Sequence, residues 1–204
     1  MSQLALPLDW RQWNEPLSFI VGEANRLAVR YLDRPAIWPV RTALLVGPRK
    51  SGKSLLGRAF AARTDARLID NADNVPEEEL FHAWNQAQET GKFQLWIANE
   101  APPHWQVSLP DLASRLAATP TVTIQYPDEQ LLIDIIAAQL ERHGLIVEPE
   151  TRAYLSSRLE RDYVAADRFV DRALILAAGK QGAFTIPQAR AALQMATPSV
   201  IDPS

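Results

Sequence analysis

The segment Gly47-Pro-Arg-Lys-Ser-Gly-Lys-Ser54 constrains this chain more than any other. It fits the pattern Gly-x-x-x-x-Gly-Lys-Ser/Thr without a mismatch. Ala43-Leu-Leu-Val46 before it reads as a buried strand. The stretch from about Lys53 to Arg63 after it places Leu55, Leu56, Ala59 and Phe60 at helical spacing. Glycines let a backbone curl so that successive N–H groups point inward as anion donors, and a helix starting there adds its positive end. In such a loop Lys53 reaches the outer phosphates of a nucleotide, and Ser54 offers its hydroxyl to Mg²⁺. The loop residues expected to touch the nucleotide are Gly47, Arg49, Lys50, Ser51, Gly52, Lys53, Ser54 and Leu55.

The other strand signals follow at the spacing of a strand–helix alternation. Ala66-Arg-Leu-Ile69 reads as a second strand, Phe93 to Ala98 as a third and Thr121 to Ile124 as a fourth. Pro76 with Glu77, Glu78 and Glu79 opens a helix, because acids favour the positive end of a helix dipole. An earlier helical pattern runs to Leu32 behind a short apolar lead-in from Phe19. Strands alternating with helices imply a parallel sheet wrapped in helices. Beyond Pro127 the character changes. Asp128 to His143, Glu150 to Leu159, Ala165 to Ala178 and Pro187 to Met195 read as helices with no strand among them. The expected fold class is therefore α/β, a P-loop module with a parallel sheet flanked by helices, plus a small all-helical domain. The expected divisions are an extended tail at 1–10, the nucleotide-binding domain at 11–126, the helical domain at 127–197 and a loose tail at 198–204.

A phosphate loop of this kind needs an acid on a neighbouring strand to hold Mg²⁺ through water, and Leu68-Ile-Asp70 supplies it. The next position, where a second acid could polarise the attacking water, is Asn71. A neutral amide can orient water but cannot take its proton at neutral pH. Asp73 or Glu78, from the loop and helix beyond, is a candidate substitute, but both read first as solvated surface acids, so intrinsic hydrolysis is expected to be slow.

Several function classes are excluded by composition. With no cysteine, the chain has neither a disulfide framework nor a thiolate metal site. His82, His104 and His143 stand singly, without metal-ligand spacing. The formal charge of −3, with Lys and Arg dispersed among acids, argues against a dedicated nucleic-acid binder. No apolar run is long enough to span a bilayer, and Asp9 and Arg11 interrupt where a secretory core would lie, so no membrane partner and a cytoplasmic address are expected.

With these pieces placed, the chain resembles the DnaA clade of AAA+ ATPases, and within it the small DnaA-related inactivators of bacterial replication initiation. The resemblance runs from Gln3 to about Leu193. Phe19-Ile-Val-Gly-Glu-Ala-Asn-Arg-Leu-Ala28 is similar to the segment lining that family's adenine pocket, which implicates Phe19 and Val21. Trp96-Ile-Ala-Asn-Glu-Ala-Pro-Pro103 is similar to its sensor-one strand, with Asn99 near the γ-phosphate. Leu109-Pro-Asp-Leu-Ala-Ser-Arg-Leu116 is similar to its arginine-finger box, making Arg115 the finger. Gln3-Leu-Ala-Leu-Pro-Leu8 looks like a sliding-clamp-binding peptide, in which Gln3, Leu4, Leu6, Pro7 and Leu8 make the contacts. Trp10 and Trp13 beside it pack either on the body or on a partner.

Two departures from the family pattern matter. Val164 stands where sensor two usually has an arginine, with Arg161 and Arg168 nearby. Only 15 residues separate Ser54 from Asp70, so one strand and its helices are missing relative to the family. The resemblance implies ADP or ATP with Mg²⁺ as cofactors. It implies DnaA and the DNA polymerase III sliding clamp (beta subunit) as partners, with DNA met only through the clamp, and leaves room for a homodimer. It further implies an activator of DnaA's ATP hydrolysis that is itself a weak ATPase. The alternatives are an autonomous AAA+ ATPase or helicase-loader-like motor, and a clamp- or DnaA-binding module with a structural nucleotide.

Overall fold

The computed structural model describes residues 19–195. The sheet is built on β1 (Thr42–Val46), five residues all buried. Helix α1 (Glu23–Leu32) precedes it, and α2 (Lys53–Thr64), β2 (Arg67–Ile69), α3 (Glu77–Thr90), β3 (Gln94–Ile97), α4 (Pro110–Ala118) and β4 (Thr121–Thr123) follow. The strand order is β2-β3-β1-β4 and every pairing is parallel. The expected strands and helices of this layer stand within a residue or two of their anticipated ends. Helix α4 is the exception, since it was anticipated only as a sequence box.

A strand buried on both faces is apolar along nearly all its length, and after Thr42 β1 divides its apolar side chains between two cores. Ala43 and Leu45, with Leu95 and Ile97 of β3, pack against Ala28, Val29 and Leu32 of α1 and Leu56 and Phe60 of α2. Leu44 and Val46, with Trp96, pack against Leu80, Ala83 and Trp84 of α3 and Leu112 and Leu116 of α4. Trp38 fills the first core, stacked on Tyr31 and on Phe60 with ring centroids 5.6 and 5.3 Å apart. The two helix layers are thus on opposite faces, as right-handed crossovers running both ways from the sheet centre require. The crevice that forms at the carboxyl ends of β1 and β3, where the crossovers diverge, is where an open α/β sheet presents a ligand.

The rest of the chain comprises α5 (Glu129–Arg142), β5 (Leu145–Val147), α6 (Pro149–Ser156), α7 (Tyr163–Ala177), β6 (Gly182–Phe184) and α8 (Ile186–Gln194). It has its own core, centred on Ile136, Leu140, Leu155, Phe169 and Phe184. Here the structure differs from the expected strand-free run of helices. β5 and β6 pair in parallel, Leu145 opposite Gly182 and Val147 opposite Phe184. Each is three residues long and follows a glycine-containing turn, too short for alternation to declare it. Leu145, Val147 and Phe184 face the core while Ile146 is exposed, so the pair closes one side of the helical core.

Tyr163 crosses between the two parts. It opens α7 yet is buried in the sheet's first core, and its hydroxyl donates to the backbone oxygen of Gln125 at 3.1 Å. Burial, with the nearby Asp128 carboxylate, pushes its phenol up to about 12 from the ordinary 10. The neutral phenol is therefore the form that the folded state prefers. Its contribution is complete below pH 10 and is lost as pH rises through about 12. Tyr163→Phe is expected to lower stability at neutral pH by about 1 kcal/mol, the net value of one hydrogen bond. It is also expected to flatten the alkaline decline, which urea unfolding at a series of pH values would measure.

Candidate nucleotide-binding site

The loop between β1 and α2 turns on two glycines. Gly47 has φ 151° and lies so close to β4's end that a Cβ there would sit 2.5 Å from the backbone oxygen of Ile124. Gly52 has φ 87°, and a Cβ would meet the Phe19 ring at 2.9 Å. Lys50 also takes a positive φ of 64°, completing the curl that a nest of N–H groups needs. Lys53 is buried at 8% exposure. Its Nζ donates to the backbone oxygens of Gly47 at 2.6 Å and Pro48 at 2.8 Å, and stands 3.5 Å from Asn99 Oδ1. Burial holds its ammonium below the usual lysine range, and the carboxylates of Asp70 and Asp73 oppose that shift. The Ser51 hydroxyl is buried with no hydrogen-bond partner among the described residues. An orphaned hydroxyl and a desolvated cation inside a glycine-shaped cradle are the donor set that a phosphate chain satisfies, so the residues fit the nucleotide. Ser54 and Leu55, in the first turn of α2, are half-buried.

Beside the loop, Phe19, Ile20 and Leu55 face Ile135 and Ala138 of α5 across a cleft whose floor includes Ser51 and Gly52. These apolar walls, with Asn25 and Gln139 among them, suit a flat heterocycle with polar edges. Val21 is exposed at 38% and does not line this cleft; Ile20 takes the place expected of it. Asn25, which sequence reasoning passed over, is buried and locks the lead-in segment. Its Oδ1 accepts from the Gly22 N–H and its Nδ2 donates to the Ile20 oxygen, both at 2.9 Å.

The acids behave differently from one another. Asp70 is exposed, and its Oδ1 accepts the Asn71 N–H at 3.0 Å. Asn71 is exposed too, with φ 53°. Asp73, read from sequence as a solvated surface acid, is half-buried instead. It comes back to the strand ends through the turn Ala72–Asn74, where its Oδ2 accepts the Asn99 N–H at 3.3 Å. Asn99 lies just past β3, and its backbone oxygen accepts the Gly47 N–H at 3.2 Å. Asp70, Asp73 and Asn99 are thereby gathered around Lys53. The three histidines are exposed, and no cluster of metal-ligating side chains occurs among the described residues.

From the carboxyl-terminal helices the loop receives an anion. Asp167 of α7 pairs with Lys50 at 3.0 Å, both partly exposed. Val164, in α7's first turn, is half-buried. Arg161 is exposed and turned to Glu129 at 3.6 Å, and Arg168 is exposed. Arg49 is exposed on the loop's outer side, beside Glu100, His104 and Tyr126.

Arg115 is on α4, which packs on α3 and away from α2. Its guanidinium lies 4.7 Å from the Trp84 ring centroid and 6.0 Å from that of Phe81. It forms no ion pair with Asp111, four residues before it, and its Nε is buried without a hydrogen-bond partner among the described residues. α4 is set by Pro110 in its first turn and by Glu77, whose carboxylate accepts the Ser108 and Leu109 N–H groups. Gln3, Leu4, Leu6, Pro7 and Leu8 lie outside the described residues, as do Trp10 and Trp13.

No protein-family model matches the chain. Among solved structures it is similar to domain III of the replication initiation protein DnaA from Thermotoga maritima, at 17% identity and a TM-score of 0.71, over 86% of this chain and 93% of that one. AMPPCP-bound DnaA from Aquifex aeolicus is similar at 18% identity and a TM-score of 0.62, over 79% of this chain and 65% of that one. The RuvB Holliday junction branch migration motor of Thermotoga maritima is similar at 14% identity and a TM-score of 0.60, over 85% and 69%. At such identities the likeness is one of fold. The chain has the α/β fold of AAA+ ATPase domains, those of DnaA and RuvB among them. No helix among the described residues is long and apolar enough to cross a membrane.

Proposed function

We propose that this protein is a nucleotide-binding regulator of replication initiation of the Hda type. In this reading it holds ADP or ATP with Mg²⁺, docks on the sliding clamp through Gln3 to Leu8, and presents Arg115 to ATP bound on DnaA. The observation that carries the reading is the packing of Arg115. Its guanidinium is half-buried on an aromatic ledge with no carboxylate paired to it among the described residues, which leaves it without an internal counter-ion and open to a partner's phosphate. The phosphate loop and the likeness to a DnaA domain support the nucleotide and the partner.

In this proposal Lys53 and the loop N–H groups hold the phosphate chain, Ser51 gains the partner its buried hydroxyl lacks, and Ser54 with Asp70 would hold Mg²⁺. The ion would neutralise phosphate charge. The cleft of Phe19, Ile20, Leu55 and Ile135 holds the base. Arg115 acts on the partner's nucleotide, where a finger supplied in trans stabilises the charge developing on the transferred phosphoryl group.

Deletion of residues 1–8 tests the docking. The truncated protein is expected to fold with unchanged nucleotide affinity, to lose clamp capture, and to lose its stimulation of DnaA when clamp-loaded DNA is supplied. Surface plasmon resonance against immobilised clamp reads the first loss and DnaA-bound ATP turnover the second. Equal capture by both forms would remove the tail from the mechanism.

A further inference from the structure

Asp70 directly follows β2, and the next position, where an acid would polarise water, carries the exposed Asn71. The chain then makes a left-handed step at Asn71, with φ 53°, and the short turn Ala72–Asn74 carries Asp73 back to the strand ends. One oxygen of Asp73 takes the Asn99 N–H at 3.3 Å. The other, Oδ1, is buried with no hydrogen-bond donor among the described residues. Asn99 in turn stands 3.5 Å from the Lys53 ammonium, so Asp73 belongs to the same constellation as the phosphate-binding lysine.

An unpaired, buried carboxylate oxygen costs free energy unless some ligand or water completes it. If Asp73 served only to hold the Asn99 N–H, one oxygen would suffice and the other could face solvent. We propose that Asp73 is the acid of this phosphate site, its free oxygen receiving the water that attacks the terminal phosphate of a bound nucleoside triphosphate, while Asn71 serves the turn alone. The proposal rests on the phosphate-loop reading above. In the step, the water oxygen bonds to the γ-phosphorus, and the bond from that phosphorus to the β–γ bridging oxygen breaks with its electron pair. The diphosphate leaves, and the water's proton passes to the Asp73 carboxylate. A displaced acid and no arginine from α7's first turn make the reaction slow, so single-turnover conditions suit it.

The test compares the parent with Asp73→Asn, Asp73→Glu and Asn71→Gly, measuring single-turnover ATP hydrolysis, equilibrium affinities for ATP and ADP, and melting temperature. Asp73→Asn is expected to lose roughly a hundredfold or more of the rate, as removal of a general base does. It should bind ATP at least as tightly as the parent, because a negative charge near the γ-phosphate is gone. Asp73→Glu should recover part of the rate, and Asn71→Gly, which keeps the positive φ, should leave it unchanged. Hydrolysis by Asp73→Asn at the parent's rate would overturn the proposal. So would loss of ATP binding along with rate, which would make Asp73 a prop for Asn99 and Lys53, and so would an equal loss in Asn71→Gly or no hydrolysis by the parent. A parent that binds neither ATP nor ADP would instead bring down the phosphate-loop reading, and this proposal with it.

Discussion

Lys53→Ala should abolish measurable binding of ADP and ATP, a loss of roughly a hundredfold or more for a charge-assisted contact worth up to about 3 kcal/mol. Among the described residues the ammonium is the one buried cation at the loop, held by the oxygens of Gly47 and Pro48. For the parent, nucleotide at a hundred times its Kd should add about 2.7 kcal/mol of stability, or roughly 5 to 10 °C in Tm for a chain of this size. The variant should show no shift. Burial lowers the Lys53 pKa, so its charged form is a cost to the folded state that Asp70 and Asp73 only partly offset. Lys53→Met, which keeps most of the volume, should therefore melt no lower than the parent without nucleotide. Calorimetric titration and thermal unfolding of both variants check the pair of outcomes. Unchanged affinity in Lys53→Ala would contradict the site.

Arg115 offers the larger effect, and its packing sharpens the choice of substitution. Arg115→Ala removes a cation from the faces of Trp84 and Phe81, a loss of about 0.5–2 kcal/mol. Some fall in stability is thus expected from alanine whatever the function. Arg115→Lys keeps a cation over the rings and should keep the fold, the nucleotide and the clamp. What lysine lacks is the planar, permanently charged fork. As a trans finger Arg115 should contribute roughly 10³- to 10⁵-fold to the partner's hydrolysis. Both variants should therefore lose nearly all stimulation of DnaA. If Arg115 only secures α4 on α3, lysine would stimulate almost as well as the parent, and alanine would fail only in proportion to its lower stability.

The sheet was legible because a buried parallel strand is apolar on both faces, and Thr42 to Val46 leads straight into the glycine loop. The helices were legible from their apolar spacing. What stayed hidden depends on contacts that no spacing encodes. β5 and β6 are three residues each and form their ladder with one another. The aromatic ledge under Arg115 comes from α3, and the Asp167–Lys50 pair joins α7 to the loop. Asp73 was weighed as a substitute acid but read as solvated, because no spacing shows that the left-handed residue Asn71 turns the chain back to the strand ends. A buried, unbonded Ser51 hydroxyl has no sequence signature beyond the loop pattern itself.

In the proposed function this protein makes another protein, DnaA, hydrolyse its nucleotide. The direct measurement is conversion of DnaA-bound ATP to ADP over time on clamp-loaded DNA, with and without the full chain. The rate is predicted to rise by orders of magnitude when the protein is added, to need the loaded clamp, and to fall back to the unstimulated rate with Arg115→Lys. An unchanged DnaA rate in the presence of nucleotide-loaded, clamp-bound protein would contradict the account.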